Sequence, residues 1–418
     1  MRICLLSYRG NMYCGGQGVY VYYLAKHLLK LGHEVHLIQG PPYTWEIPGV
    51  HLHLLPNYNF FATKKFFTQF VPSGTDLLQL FQPLHFYEFA ATRFGFFPEM
   101  LAFSLRAFRR LVELSRERPF DVVHDNQTLA YGLLLIQALG LPVVTTLHHP
   151  LAEDMREDFA QLPRFMDRLR RAAYYPVLMN GQVTRRLDEL VTVSQTAARS
   201  CARAFGLPEE RIRVIYNGVD VETFRPNPAA RKVPRRLIFV GNTEDRKKGI
   251  RYLLEALVLL PKDVTLTVVD GGAPRHILME ELRRRFSLGD RVQCTGKIST
   301  AALVERYHQS EIAVCPSLYE GFGFPAAEAM ACGLPVVSSD GGALPEVVGP
   351  DGEAGFVVPR RDPPALARAV GRLLDDPGLR ERMGKSGRAR VENNFSWDAA
   401  CGQMVALYRE AIARKKKA

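Results

Sequence analysis

Cysteine is sparse and never paired in sequence: Cys4, Cys14, Cys201, Cys294, Cys315, Cys332 and Cys401 are odd in number, scattered, and without a C-x-x-C pair. This argues against a disulfide framework and against the common zinc modules, and it fits a reduced, cytosolic compartment. Long apolar runs are also missing. No stretch approaches the ~20 residues of a membrane-spanning helix, and the opening MRICLLSYRG breaks at Tyr8-Arg9-Gly10, too soon for a secretory core. No repeat of solenoid period occurs, and no D-x-D metal motif stands in a fitting place. Negative charge is the minority: 43 Asp and Glu face 54 Lys and Arg, a net charge of +11. An anionic partner follows from that balance, whether a phosphate ligand, nucleic acid or a membrane surface.

What is present is an ordinary globular composition, 47% hydrophobic and 23% charged over 418 residues, enough for two or three domains with large cores. Short apolar runs rich in β-branched residues alternate with helical patterns, at 2–7, 34–38, 121–124, 143–147, 189–193 and 213–215. After Asn217 the text NGVDVETFRPNPAARKVPRR loses apolar periodicity and reads as a connector. A second series then runs through 237–240, 265–269, 292–296, 312–315, 335–338 and 355–358. Strand alternating with helix predicts parallel βαβ construction. The expected fold class is therefore α/β, two doubly wound Rossmann-like domains facing a cleft. The expected division is an N-terminal domain over 1–218, a linker over 219–234, a C-terminal domain over 235–393, and a helix over 394–418 packing back on the first domain.

One stretch departs from this pattern. Between Tyr58 and Phe97 stand Phe60, Phe61, Phe66, Phe67, Phe70, Phe81, Phe86, Phe89, Phe94, Phe96 and Phe97, with Lys64, Lys65 and Arg93 among them. Core is the ordinary destination of aromatic residues. The interleaved basic residues also fit an amphipathic flap at a bilayer headgroup region or around a greasy acceptor. The closing Arg414-Lys415-Lys416-Lys417 reads as solvated charge or as a membrane-surface contact.

Several strand ends carry candidate chemistry. After the first strand, Cys14-Gly15-Gly16-Gln17-Gly18 leads into a helical run. Glycines there let backbone N–H groups approach an oxyanion at a helix N-terminus, or simply make a tight turn. The spacing is not the dinucleotide fingerprint, and Gln39-Gly40 stands where that fingerprint needs an acid. His148 follows the run 143–147 with His149 behind it, and ligands in open parallel sheets bind beyond the carboxyl ends of strands. In the second series Arg246-Lys247-Lys248-Gly249 precedes a helix, a place suited to a diphosphate or to a basic turn neutralised by Glu244 and Asp245. The fullest segment is Glu320-Gly321-Phe322-Gly323-Phe324-Pro325, which opens a short helix containing Glu328 and closed by Gly333. Two carboxylates beside an anion-binding helix end suit a ligand that carries hydroxyls next to phosphate.

At this segment the chain resembles glycosyltransferase family 4, retaining nucleotide-sugar enzymes of the GT-B fold. Glu320 and Glu328 match the family's glutamate pair within EGFGFPAAEAMACGLPVV. TTLHH, LVTVSQTAARS, VIYNGVDVETFRP, Lys248-Gly249 and Phe395-Ser396-Trp397 extend the resemblance over most of the chain, the insert at 58–97 excepted. The resemblance implies that Gly15 and Gly16 approach the donor diphosphate, that Arg246 and Lys248 neutralise it, and that Gly321, Phe322 and Gly323 lie against the donor. It further implies that Glu320 holds the sugar, that Glu328 holds the ribose, and that His148 stands near the reacting carbon. The family's Arg after the first glycine of the second domain is Asn242 here, which leaves Arg246 to supply the guanidinium and leaves Lys247 against Lys248 open.

The implied reaction transfers a sugar from a nucleotide diphosphate, UDP favoured, to a hydroxyl acceptor with the anomeric configuration kept. No metal and no cofactor take part, and the departing phosphate oxygen takes the acceptor's proton. The Phe-rich insert and basic tail favour a lipid-linked or cell-envelope glycan acceptor, with a polysaccharide or a small-molecule alcohol as alternatives; the expected place is cytoplasmic, either free or at the inner face of a membrane, and nucleic acid is not an expected partner. Two other readings are an epimerase or phosphorylase on the same scaffold and a basic protein that binds nucleic acid or anionic lipid.

Overall fold

The computed structural model describes residues 1–12, 16–56, 82–93, 96–153, 155, 176–270 and 277–417. The Phe-rich segment therefore lies largely outside the described residues, as does Gly15. The chain divides into two compact units. The first comprises Met1–Thr192, Ala198–Val214 and Cys401–Ala418, and the second Val193–Ala197 and Ile215–Ala400.

The first unit is built on a parallel sheet of order β3-β2-β1-β4-β5-β6-β7. Its strands are β1 Arg2–Ser7, β2 Glu34–Gln39, β3 His51–Leu54, β4 Val122–Asn126, β5 Val143–Leu147, β6 Glu189–Thr192 and β7 Ile212–Val214. Every residue of β1, β4 and β5 is buried, because helices cover both faces of a parallel sheet, and their apolar residues stand together rather than alternating with exposed polar ones. The strand β3 escaped sequence reading because it is an edge strand, its His and Leu side chains mostly exposed. A helix at Glu99–Glu117 buries Met100, Phe103, Ala107, Leu111 and Leu114, the three- and four-residue spacing of one helical face.

The second sheet has order β10-β9-β8-β11-β12-β13, from β8 Arg236–Val240, β9 Thr265–Val269, β10 Val292–Cys294, β11 Ile312–Cys315, β12 Val336–Ser339 and β13 Gly355–Val358. Every neighbouring pair of these strands is parallel. The first part of the expected linker is not a free connector. Val219 and Phe224 are buried in this unit's core, the Val219 N–H donates to the Phe395 carbonyl at 2.8 Å, and a Cβ on Gly218 would lie 2.3 Å from the Trp397 nitrogen. Apolar periodicity is absent there because the contacts are made by single residues.

The final helix, Trp397–Lys417, packs on the first unit from Cys401 onward. Tyr408 hydrogen-bonds His124 in β4. Arg414 pairs with Glu189 at 2.6 Å and Lys415 with Asp188 at 3.6 Å, so half of the basic tail already faces carboxylates. Among the described residues no helix is long and apolar enough to cross a membrane, and the described cysteines are free thiols.

Candidate active site

In the second sheet the winding reverses between β8 and β11, and the open crevice of such a sheet lies beyond the carboxyl ends of those strands. The loops leaving them are 241–249 and 316–323. The first ends in a single 3-10 turn, Arg246–Lys248, capped by Asp245, whose carboxylate accepts from the Lys247 N–H at 3.0 Å. Gly249 follows with φ +71°, and a Cβ there would sit 2.0 Å from the Pro316 carbonyl oxygen. Only glycine lets the two loops meet. The Leu318 N–H donates to the Lys247 carbonyl at 2.7 Å and joins them.

That turn decides which lysine faces the glutamate. Lys248 Nζ lies 2.8 and 3.0 Å from the two oxygens of Glu320, with the side chains 25% and 14% exposed. The Ser317 hydroxyl donates to the same carboxylate at 2.7 Å. Lys247 gives its backbone to the turn, and Arg246 is exposed at the turn's start. Glu320 is also held from behind by Gly341-Gly342, a pair the sequence reading passed over. A Cβ on Gly341 would lie 2.0 Å from the Ser317 carbonyl oxygen, and one on Gly342, φ +64°, 2.3 Å from that of Glu320. The Ala343 N–H donates to the Glu320 carbonyl at 2.9 Å.

The helix Phe324–Ala331 starts after Gly323, φ +103°, with Pro325 in its first turn and no side-chain cap. Pro325 has no N–H and the Ala326 and Ala327 N–H groups donate to the Gly323 carbonyl at 3.1 and 3.2 Å, which leaves the Phe324 N–H at the helix start for water or an anion. Glu328 on this helix accepts from the Tyr307 hydroxyl at 3.2 Å, and desolvation pushes its carboxyl up to about 7. Two residues of the motif serve packing instead. The Phe322 ring is buried against Phe324 and Phe395, at 5.3 and 5.4 Å between centroids, and the Gly321 carbonyl accepts from the Ser194 hydroxyl at 2.7 Å.

In the first unit the reversal falls between β1 and β4. Gly16 opens the helix Gly16–Lys30 and is exposed, while Gly18 is the glycine that packing requires: a Cβ there would meet the Asn11 carbonyl oxygen at 2.2 Å. Of the two histidines after β5, His148 is the buried one. Its Nε2 lies 2.7 Å from Asn126 Oδ1. The Asn126 amide nitrogen donates to Ser7 Oγ at 3.1 Å and to the Gln17 carbonyl at 3.0 Å. Those two acceptors fix the amide with its oxygen toward the ring, so Nε2 carries the proton and Nδ1 is the acceptor. Burial, with His149 and His124 adding to it, pushes the imidazole down to about 3, and it is neutral in ordinary buffers. The Tyr20 ring meets it edge-on at 4.9 Å.

Gln127 holds the adjoining backbone. It accepts from the N–H of both His148 and His149 and donates to the His149 carbonyl at 2.7 Å, from a left-handed backbone at φ +58°. Such a conformation is uncommon outside glycine and is retained where neighbours over-determine it. Sequence reasoning missed Asn126, Gln127 and Tyr20 because all three precede the histidine by more than twenty residues.

Two family models cover the chain: Glycosyltransferase Family 4 matches residues 14–223, and Glycosyl transferases group 1 matches 220–390. The chain is 39% identical to the MMP alpha-(1->4)-mannosyltransferase of Mycolicibacterium hassiacum across 99% of both chains. It is 29% identical to the D-inositol 3-phosphate glycosyltransferase of Xylanimonas cellulosilytica, over 98% of this chain and 95% of the relative. Among solved structures, sucrose-phosphate synthase from Thermosynechococcus elongatus superposes with a TM-score of 0.76 at 26% identity, covering 99% of this chain and 100% of that one. With two wound parallel sheets, GT-B structural neighbours and matches over nearly its whole length, the chain belongs to glycosyltransferase family 4.

Proposed function

We propose that this glycosyltransferase moves a hexosyl group, mannosyl first among the candidates, from a nucleotide diphosphate sugar to an acceptor hydroxyl with retention and without a metal ion. The observation that carries this reading is the Lys248–Glu320 pair at the ends of β8 and β11. It offers a cation for a diphosphate and a carboxylate for sugar hydroxyls at the one crevice the sheet provides. Charge develops on the β-phosphate as the anomeric C–O bond breaks. Preorganised donors there, namely Lys248, Arg246 and the Phe324 N–H at the start of Phe324–Ala331, stabilise the transition state most. The departing phosphate oxygen takes the acceptor's proton, so no general base is required of the chain.

Glu328 takes the ribose hydroxyls, Gly16 approaches the diphosphate and His148 the transferred sugar through Nδ1. The mannosyl choice rests on the relative with 39% identity. UDP is the first base to test, and a lipid-linked or glycan alcohol the first acceptor class.

The test is a panel of nucleotide sugars scored for thermal stabilisation, followed by proton NMR of the product formed from the best donor. An α linkage from an α-linked donor is expected, at a rate independent of added Mg2+ or Mn2+. A β product, or hydrolysis and epimerisation without transfer, overturns the reading.

A further inference from the structure

We propose that Glu34, His36 and His51 form a site for one divalent cation of the zinc class, at the amino ends of β2 and β3. In a strand, residues two apart share one face. Glu34 and His36 are so related in β2, and His51 and His53 in β3. The register sets His36 directly opposite His51 and Ile38 opposite His53, which brings all four side chains to one side of the sheet edge. Each of Glu34, His36 and His51 offers a ligand atom, and these atoms lie within 4.8 Å of one another. The His36 Nε2 to Glu34 Oε1 separation is 3.1 Å, close to the spacing of two ligands that share a cation at ~2.0–2.2 Å.

The surroundings complete the arrangement. His36 Nδ1 lies 3.0 Å from His53 Nε2, so His53 is the positioning residue that receives the second ring N–H of a ligating histidine. Loading moves the His36 proton from Nε2 to Nδ1 and the His53 proton from Nε2 to Nδ1. That costs the long 3.4 Å contact between His53 and Arg110. Phe120 packs edge-on against His36 at 5.0 Å and holds the ring in place. Glu34 is shared with Arg2 at 2.9 Å and Arg118 at 2.6 Å. Those guanidiniums oppose a hard cation bound by charge alone, whereas imidazole nitrogens select zinc, copper or nickel over magnesium and calcium.

Glu34 and His51 begin their strands, at the opposite end of the sheet from His148. The cation is therefore a clip for the edge strand β3, whose Leu52 and Leu54 are exposed, and is separate from the metal-independent transfer proposed above. Zn2+ titration of the full chain against a chromophoric chelator should show one tight equivalent, and Co2+ should give visible d–d bands. His51→Ala, at an exposed position, should abolish the bands, and His53→Ala should weaken Zn2+ by about 10–100-fold, both with unchanged melting in chelator. Should the native chain take up no stoichiometric Zn2+, or His51→Ala and Glu34→Gln hold it as tightly as native protein, the site does not exist. If His36→Gln fails to fold, those two variants decide the matter.

Discussion

Lys248 Nζ lies 2.8 Å from one oxygen of Glu320 and 3.0 Å from the other, a pair made between residues 72 positions apart. Each member neutralises the other. In the proposed reading a nucleotide-sugar donor presents a diphosphate to the ammonium and hydroxyls to the carboxylate, so each charge gains a further partner without either side chain having to travel.

The first prediction concerns that pair. Lys248→Ala and Glu320→Ala should each lower kcat/KM by about 100-fold or more, the scale of one lost charge-stabilising group. The double variant should fall short of the product of the two losses, since the residues act as a unit. Steady-state kinetics on purified variants checks this. Full rate in Lys248→Ala would remove the diphosphate assignment.

Backbone geometry gives the second. At Gly249 the left-handed conformation alone should cost alanine about 1–2 kcal/mol, and the contact with the Pro316 carbonyl adds to it. Gly249→Ala should thus lower the melting temperature and weaken nucleotide binding together, because it drives apart the two loops that carry Lys248 and Glu320. Gly402→Ala is the contrast: its Cβ would meet nothing within 4 Å in the helix Trp397–Lys417. That change should stabilise by up to about 1 kcal/mol and leave binding untouched. Equal effects at both sites would contradict the argument.

Glu328 sets a pH dependence. Its carboxyl is pushed up to about 7 by desolvation, and in the proposed ribose role it accepts hydroxyls best as the carboxylate. Nucleotide affinity should then rise with pH up to near 7, by as much as about tenfold per unit, and level off above it. Stability runs the other way: the folded state holds a proton that the unfolded state has released, so this group's contribution declines as pH rises from its ordinary range to about 7. Calorimetric titrations at pH 6, 7 and 8 read the first effect, and Glu328→Gln should flatten it.

How much of this was legible beforehand depended on where the physics is local. Interior strands such as 143–147 and 312–315 announce themselves because both faces are buried. The strand β3 did not, since an exposed edge with two histidines carries no apolar run. The glutamate pair was readable as a pattern of chemistry, but Lys248 over Lys247 was not. That choice is made by one 3-10 turn and its aspartate cap. Phe322 looked like part of the donor site because it stands inside the motif, yet its ring fills the core against Phe395. Gly341-Gly342 and Gln127 act across the fold on residues about twenty positions away, which no local window reveals.

His148 carries the last prediction. Its ring is neutral in the fold, pushed down to about 3 by burial, while the unfolded chain takes up a proton below ~6.5. The group's contribution to stability is therefore complete above ~6.5 and is lost as pH falls toward 3, at about 1 kcal/mol per pH unit. Other buried groups titrate in the same range, Asp125 in the opposite sense with its carboxyl pushed up to about 7, so the single variant must be read as a difference. His148→Gln minus native stability should grow more favourable to the variant between pH 7 and pH 5. Ring nitrogen NMR should show the Nε2–H tautomer of His148 persisting at pH 5, and Asn126→Asp, which places a carboxylate beside the Nε2–H, should raise the ring's titration. A His148 signal that titrates near 6.5 in native protein would mean the ring is not held by Asn126 as described.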